Sequence, residues 1–507
     1  MRKVALFVSM LLAVGLVVSP SAITASASDD PGLTGTGTLI SPNVTYHGTI
    51  PIDSPGVGGE VVVRPDLGGK RFFYATGLKG LSVYDVTNPA VPVPAGFLPF
   101  PHSQNEDLKA SDDGKTAIIA ADGALAVPVN PVTTGIHVVD VTNPALPTIV
   151  ASSNDRVMGR GTAAGPNEHT AECANADCSV IYGESGRIYR VDRQAGRVTE
   201  IGRWNKDKSG NTISSSVIHA LNRDASGIVI SDSTPRLILD PGVLTPGATP
   251  ESPFVLAQQQ PSPDPQDNRL QHNNVRPDAE LWQPRHKRAK NDRLQTAVAG
   301  VDFEVSPRSV SVADVRTIMR PGEIVIGNTE SNINPTCGNA GGLSTRSIVN
   351  FDRDARPVDL QPATSEFRLL ETFKPLNGTW ADGSPRVNAL GCSGHWFTEN
   401  DGVVAASWYE HGVHFFEVDK TVGTITEVGY FQPGATEAGA AYWIDDNFVY
   451  SVDYARGIDI LSFNRGAPAP TQQQMDQAWL ANLDQVGTAP AASLERYYCS
   501  QAALSVE

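Results

Sequence analysis

The feature that most constrains this chain is a short apolar strand, closed by an acidic or amide residue, that recurs along most of the sequence. The copies read LSVYDVTNP, IHVVDVTNP, RIYRVDRQAG, RLILDPG, SIVNFDRDA, HFFEVDKTVG and DILSFNRG. Their closing residues are Asp85, Asp140, Asp192, Asp240, Asp352, Asp419 and Asn464. Apart from one long gap, successive copies lie roughly fifty residues apart, which is the length of a four-stranded propeller blade. The repeat therefore predicts an all-β fold, a seven-bladed β-propeller spanning residues 28–466.

The two ends of the repeat predict how the ring closes. The last copy, DILSFNRG, has no outer strand after it, whereas NVTYHGTIPI near the N-terminus resembles the outer strands of other copies. A ring that takes its final strand from the N-terminus leaves no open sheet edge, so we expect this closure. Residues 276–322 are predicted to be an insertion in the fifth blade, and residues 467–507 a short helical tail.

The N-terminus has the form of a secretory signal. Met1-Arg2-Lys3 precedes an apolar run, and Ala25-Ser26-Ala27 offers a small-residue cleavage site, so residues 1–27 are predicted to be a signal peptide. No later stretch is apolar enough to span a membrane. The net charge of −16 disfavours nucleic acid as a partner, because phosphates would be repelled. We expect a secreted protein without a membrane span.

The five cysteines all follow the predicted signal peptide, where an oxidising compartment favours disulfides. Cys173 and Cys178 are close enough in sequence to close a tight turn. Cys337 and Cys392 form the other natural pair. Cys337 follows the second strand of the predicted fifth blade, and Cys392 precedes the innermost strand of the sixth. These two loops should open on the same face of neighbouring blades. Cys499 remains without a partner in this scheme.

The repeats also carry a family resemblance. The phrases GLSVYDVTNPAVP and GIHVVDVTNPALP resemble the LVIVD repeat of secreted or surface bacterial β-propellers. The resemblance implies the fold and the route of export. It gives no information about a substrate or about catalytic residues. No nucleophile elbow, Walker loop, dinucleotide fingerprint or HExxH helix is present, so we expect no nucleotide cofactor.

Histidines recur at one position of the repeat, the start of the innermost strand. This pattern covers half of the ten histidines in the chain: His102, His169, His219, His272 and His395. Innermost strands surround the axis of a propeller, so equivalent side chains converge there. Neutral imidazoles suit copper, zinc, iron or nickel, and the pattern predicts a site for one transition-metal ion.

Acidic residues recur where the second strand of each copy ends: Asp122, Glu184, Asp232, Glu330, Glu410 and Asp453. Because the second strand runs antiparallel to the first, these carboxylates should share the face of the histidines and orient their rings. Glu168 and Glu172 flank His169 and are candidates for a general base.

Two classes of function fit these patterns. The first is an exported metalloenzyme, for which an oxidoreductase is favoured over a hydrolase. The second is a non-catalytic extracellular module that binds a small molecule, a protein, a glycan or another cell-wall polymer. A purely structural role also accounts for the recurring histidines and the recurring acids. A repeated histidine can form a hydrogen bond to a neighbouring blade, and a repeated acid can cap a turn. Metal content separates these alternatives.

Overall fold

The computed structural model of the protein describes residues 38–51, 56–102, 108–122, 133–206, 210–211, 218–225, 227–232, 237–244, 246–258, 271–282, 295–298, 301–304, 319–330, 334–336, 341–349, 366–373, 387–433, 436–454, 456–471 and 473–474. The predicted signal peptide, residues 1–27, lies outside this part of the chain. So does Cys337, and its predicted bond to Cys392 stays a prediction.

The described residues form β-sheets in which all pairings but one are antiparallel, with strands numbered here in chain order. Two N-terminal strands are β1 (Leu39–Ile40) and β2 (Val44–Ile50). The first sheet contains β3 (Gly56–Arg64), β4 (Lys70–Gly77), β5 (Gly80–Asp85) and β6 (Val93–Pro99). The next strands are β7 (Lys109–Ala110), β8 (Thr116–Ala121), β9 (Gly135–Asp140) and β10 (Thr148–Ser152), followed by β11 (Ala171–Cys173), β12 (Val180–Gly183), β13 (Arg187–Asp192) and β14 (Arg197–Arg203).

The second half of the ring repeats this order. One sheet contains β15 (Ile218–Arg223), β16 (Ile228–Asp232), β17 (Leu237–Asp240) and β18 (Phe254–Gln258). The next joins β19 (Gln271–Val275) to β22 (Ile324–Thr329), β24 (Leu343–Val349) and β25 (Glu366–Phe373). Two small sheets pair β20 (Gln295–Val298) with β21 (Val301–Glu304), and β23 (Asn334–Thr336) with β26 (Val387–Cys392). The last strands are β27 (Phe397–Asn400), β28 (Val403–Ser407), β29 (Val413–Val418) and β30 (Ile425–Gln432), then β31 (Ala438–Trp443), β32 (Phe448–Asp453) and β33 (Gly457–Phe463).

The innermost strands contact one another in a closed cycle, in the order β3, β7, β11, β15, β19, β27, β31 and back to β3. The fold is therefore an all-β propeller. Apolar side chains fill the space between neighbouring sheets, as where Phe415 of β29 stacks on Phe463 of β33 with ring centroids 4.6 Å apart. The core is thus a set of blade-to-blade contacts, which is typical of repeat architectures.

The prediction of a seven-bladed propeller is wrong. Five separate sheets of four or five strands have the form of blades, and strands β7–β14 instead share one eight-stranded sheet. The join is a single parallel pairing of β10 with β14, between Ser152 and Arg197. The backbone N–H of Ser152 donates to the carbonyl of Gly196, and Arg160 donates to both carbonyls, of Ser152 and Gly196. This bridging guanidinium holds two outer strands edge to edge.

The N-terminal strand β2 pairs antiparallel with β33 and completes the sheet formed by β31, β32 and β33. A bulge interrupts the ladder between Tyr46 and Gly48. The shorter strand β1 pairs with β30 on the preceding sheet. The N-terminal segment therefore joins two neighbouring sheets of the ring.

The predicted helical tail is not supported. Within residues 467–507, only Gln473 and Gln474 have helical backbone among the described residues, and most of the segment lies outside them. No helix in the described part of the chain is long and apolar enough to cross a membrane.

One predicted disulfide is confirmed. Cys173 and Cys178 are bonded, and both side chains are buried between β11 and β12. The bond closes the turn that joins these two strands of the repeat.

Candidate functional site

The five histidines predicted to line one face fall into different environments. His102, His169, His272 and His395 are fully buried. Among the side chains that the structure describes, His272 and His395 come together with a carboxylate to form a potential metal site. His219 lies on β15, and its side chain is outside the described part of the molecule.

His272, Glu330 and His395 form the His–Glu–His cluster, in which one potential ligand atom from each residue lies within 4.8 Å of the others. The ring centroids of the two histidines are 3.9 Å apart, with their planes inclined by 40°. Nε2 of His272 is 3.8 Å from Oε2 of Glu330. All three residues are 0% exposed. Two imidazoles and one carboxylate thus converge away from solvent, as they do at iron and zinc sites.

A β-bulge positions His272. Gln271 of β19 pairs with Thr329 of β22, and the next pair is Asn273 with Asn328. His272 is therefore the extra residue of the bulge, between two consecutive pairs of the ladder. Bulges of this kind re-aim side chains near functional sites. Glu330 directly follows β22, which places its carboxylate beside the bulge.

A glycine allows the chain to pass close to the His–Glu–His cluster. A Cβ atom at Gly341 would lie 1.7 Å from the carbonyl oxygen of Thr329 and 3.1 Å from Oγ of Ser393. Because any side chain there would clash with the backbone before Glu330, this approach requires glycine.

The ring of His395 is held by the neighbouring sheet. Its Nδ1 bonds to the carbonyl oxygen of Gly439, which can only accept, so Nδ1 carries the proton. The lone pair is then on Nε2. Asn328 also donates from its side-chain amide to the carbonyl of His395. A backbone carbonyl that fixes the tautomer in this way is a common partner of metal-binding histidines.

Tyr409 is a site residue that the sequence analysis missed. Its hydroxyl donates to Oε1 of Glu330, and its ring centroid is 4.8 Å from that of His395. Tyr409 is 0% exposed, and its φ of 44° lies in the left-handed region. For a bulky residue this conformation costs about 1–3 kcal/mol, and such strain often occurs at functional sites.

Asp122, His169 and Glu184 form a second group on the predicted face. Nδ1 of His169 lies 3.0 Å from Oδ2 of Asp122, so the acid of one repeat contacts the histidine of the next. Burial raises the pKa of Glu184 to about 8; His169 opposes this rise, whereas Glu168 and Asp122 add to it. This carboxyl is therefore largely protonated at neutral pH.

Three further predicted site residues have other surroundings. His102 bonds from Nδ1 to the carbonyl of Phe100 at 2.7 Å, and burial lowers its pKa to about 4. Asp453 accepts a hydrogen bond from the backbone N–H of Arg456 in its own turn, and two more from the hydroxyl and a backbone N–H of residues 436–437, which precede β31. Glu410 is buried beside the turn that carries Tyr409. The side chain of Asp232 is outside the described residues.

A polar network crosses the innermost strands. Nζ of Lys109 donates to Oδ1 of Asn222 at 2.9 Å and lies 3.6 Å from Oε2 of Glu172. Nδ2 of Asn222 donates in turn to Oδ1 of Asn273 at 2.5 Å. The four side chains belong to β7, β11, β15 and β19, so Glu172, a candidate general base, contributes an ion pair to this axial network.

Glu60 is electrostatically coupled to this network. Although the residue as a whole is half-buried, desolvation raises the pKa of its carboxyl to about 7. Lys109 and Arg223 oppose the rise, and Glu172 adds to it. Glu60 therefore binds a proton more tightly in the folded than in the unfolded protein.

The proton on Glu60 predicts a pH dependence of stability. Between the ordinary glutamate pKa of 4.5 and the folded pKa of about 7, Glu60 is more protonated in the folded than in the unfolded protein, so its contribution to the free energy of unfolding should fall as pH rises through this window. Glu60→Gln removes that contribution, so the free energy of unfolding of the variant relative to wild type should rise with pH. Urea unfolding of both proteins at pH 5 and pH 8 measures this difference. An identical pH dependence in the variant would show that Glu60 titrates normally.

Comparisons with known proteins add little to this geometry. No protein-family model matches the sequence, and no curated protein matches it. Among solved structures, the chain is similar to the β-propeller domain of Cps50 (Swd1) from Myceliophteria thermophila, with a TM-score of 0.47 and 12% identity. The similarity covers 83% of this chain and 100% of that one. The propeller fold rests on the closed cycle of inner strands.

Proposed function

We propose that the protein is an exported β-propeller that binds one transition-metal ion at the His–Glu–His cluster and uses it in oxidoreductase-type chemistry. The observation that carries this proposal is the convergence of three ligand atoms within 4.8 Å, all from fully buried residues. Export is proposed from the signal-type N-terminus and the LVIVD-like repeats, and the disulfide agrees with an oxidising compartment.

Burial explains why the His–Glu–His cluster suits a cation. Removing a carboxylate and two imidazoles from water is costly unless they are compensated by opposite charge or hydrogen bonds. The imidazole rings are so close that two protonated rings would repel each other, whereas one metal ion would be attracted to both neutral rings and the carboxylate. The fixed tautomer of His395 leaves Nε2 able to bind it.

The donor set also indicates the class of metal. Imidazole with carboxylate suits iron, zinc, copper or nickel, and two histidines with one carboxylate leave coordination positions for a substrate. The sequence contains no serine-nucleophile motif, which favours redox chemistry at the ion over acyl transfer.

A binding module is the second candidate, and an exposed apolar patch favours it. Val93 and Phe97 of β6 are 55% and 52% exposed, and Leu146 of the next repeat is 69% exposed. The two segments touch, because a Cβ at Gly96 would lie 2.1 Å from the carbonyl of Pro144. Patches of this kind often mark binding surfaces. The partner would be an extracellular polymer or protein.

Metal content tests the first candidate. We expect elemental analysis of protein purified without an affinity tag, and reconstituted with Zn²⁺ or Co²⁺, to give one ion per chain. Glu330→Gln keeps the size of the side chain but loses its charge, so binding should weaken by at least about tenfold. His395→Gln removes an imidazole ligand and should have a larger effect.

His102→Gln is the matched control, because it removes another fully buried histidine that lies outside the cluster. It should retain one ion per chain. Wild-type protein that stays metal-free after reconstitution would contradict the proposal and favour the binding module. Loss of metal from the His102 variant, with the fold intact, would show that the site is assigned to the wrong residues.

A further inference from the structure

We propose that Tyr409 is the positioning residue of the His–Glu–His cluster, and that it makes Glu330 a one-oxygen ligand. This inference rests on the proposed metal site and names the residue that tunes it. Tyr409 lies on the turn between β28 and β29, one repeat away from Glu330.

The two carboxylate oxygens of Glu330 have different environments. Oε1 accepts the hydrogen bond from the hydroxyl of Tyr409. Oε2 is the oxygen nearest His272, 3.8 Å from Nε2. A hydrogen bond to one oxygen leaves the other as the better ligand and fixes the rotation of the carboxylate.

The backbone around Tyr409 holds the side chain in this direction. Its N–H donates to the carbonyl of Ala438 at 3.2 Å, and the N–H of Ala438 donates back at 3.0 Å. The N–H of Gly412 donates to the carbonyl of Tyr409 at 2.9 Å. These bonds clamp a residue with a φ of 44° between two sheets. Asparagine or glycine would adopt this conformation more readily, so the aromatic residue is explained by what its side chain contacts.

Tyr409 contacts two of the three cluster residues. Its hydroxyl bonds to Glu330, and its ring lies 4.8 Å from the ring of His395 at an angle of 52°. The same side chain therefore sets the position of the carboxylate and confines one imidazole.

A one-oxygen carboxylate has a consequence for metal choice. Ca²⁺ favours several oxygen ligands and often takes both oxygens of a carboxylate, whereas zinc, cobalt and iron accept imidazole nitrogen with a single carboxylate oxygen. Holding Oε1 away from the ion should favour the second group. Without this hydrogen bond, Oε1 would lose the donor that distinguishes it from Oε2 as a ligand.

Co²⁺ binding to the full chain tests the inference, because Co²⁺ reports its geometry through its visible absorption. We expect Tyr409→Phe to weaken Co²⁺ binding about 10–100-fold, the range found when groups that orient metal ligands are removed. Its absorption bands should shift relative to wild type, and its preference for Co²⁺ over Ca²⁺ should decrease.

Tyr450→Phe is the matched control. Tyr450 is also 0% exposed, and its hydroxyl donates to the carbonyl of Pro89, away from the cluster. It should bind Co²⁺ with wild-type affinity and spectrum. Tyr409→Asn provides a second variant, since asparagine tolerates a positive φ but is too short to keep the phenol's position. It should remain folded and also bind Co²⁺ weakly.

The outcomes separate this inference from the proposed function. If Glu330→Gln loses Co²⁺ while Tyr409→Phe keeps wild-type affinity and spectrum, the metal site stands and the positioning role of Tyr409 is wrong. If wild-type protein takes up no Co²⁺, both proposals fail. Equal weakening in the Tyr450 and Tyr409 variants would mean a general loss of packing and would also overturn the positioning role.

Discussion

Deletion of residues 28–52 is expected to unfold most of the ring at temperatures where the intact protein is stable. The deletion removes β2, which pairs with β33 from Val44 to Ile50. Val44 and Ile50 are 5% and 8% exposed, and burying an aliphatic side chain contributes about 1.5–3 kcal/mol. With the lost ladder hydrogen bonds, the total is on the order of 5 kcal/mol or more, comparable to the whole stability of many domains.

The same deletion also breaks the tie to the preceding sheet. Nδ2 of Asn43 donates to the carbonyl of Val428 at 2.6 Å, and Oγ of Ser41 donates to Oδ1 of Asn43 at 2.7 Å. Thermal melting followed by circular dichroism measures the effect. Deletion of residues 475–507 is the control, and we expect a far smaller change in melting temperature. Equal losses in the two truncations would contradict closure of the ring by β2.

Glu168→Gln is expected to destabilise the protein by about 3–5 kcal/mol, the usual effect of breaking a buried ionic network. Oε1 of Glu168 accepts hydrogen bonds from the hydroxyl of Tyr189 at 2.5 Å and from Arg187 at 3.0 Å. Oε2 accepts the backbone N–H of Ser185 at 3.0 Å. The residue is 0% exposed, and Gly183 is needed beside it, because a Cβ there would lie 2.4 Å from Oε2. An amide cannot accept all of these bonds.

Glu200→Gln is the matched control for that variant. Glu200 pairs with the same arginine, Arg187, at 3.1 Å, but its side chain is 42% exposed. Exposed pairs contribute about 0–1 kcal/mol, so urea unfolding should show little change. The Glu168 variant should also keep its metal content, because Glu168 lies outside the His–Glu–His cluster. Metal loss together with wild-type stability would instead support the sequence-based view of Glu168 as a functional residue.

The strand repeat was enough to predict the propeller and the strand that completes its last sheet. Both predictions depend on patterns that are visible in the amino-acid sequence, namely the recurring apolar strands and the absence of an outer strand after DILSFNRG. The fusion of β10 with β14 was not predictable, because it depends on how far two outer strands approach and on one bridging side chain, Arg160. Repeat spacing contains no information on such a contact.

The candidate site was predictable as residue types and only partly as geometry. His272, His395 and Glu330 were all singled out by their position in the repeat. Which histidines meet depends on a bulge in β19 that the sequence does not mark. Tyr409 was missed because its reach to Glu330 requires a left-handed backbone, which a tyrosine rarely adopts. The Trp-Tyr-Glu-His-Gly turn gives only a weak signal, the glycine at its end.

Closure by the N-terminal strand also constrains the order of folding. In its sheet, β2 is synthesised before the other strands and its partner β33 after them, since His47 of β2 bonds to Ser462 of β33 across 415 residues. Until β33 has been made, β2 has no partner in its own sheet, and this sheet remains incomplete. Pairing across so long a loop slows folding and prolongs the exposure of unpaired strand edges. Chains that end before β33 would therefore remain open rings, prone to pairing with one another through those edges.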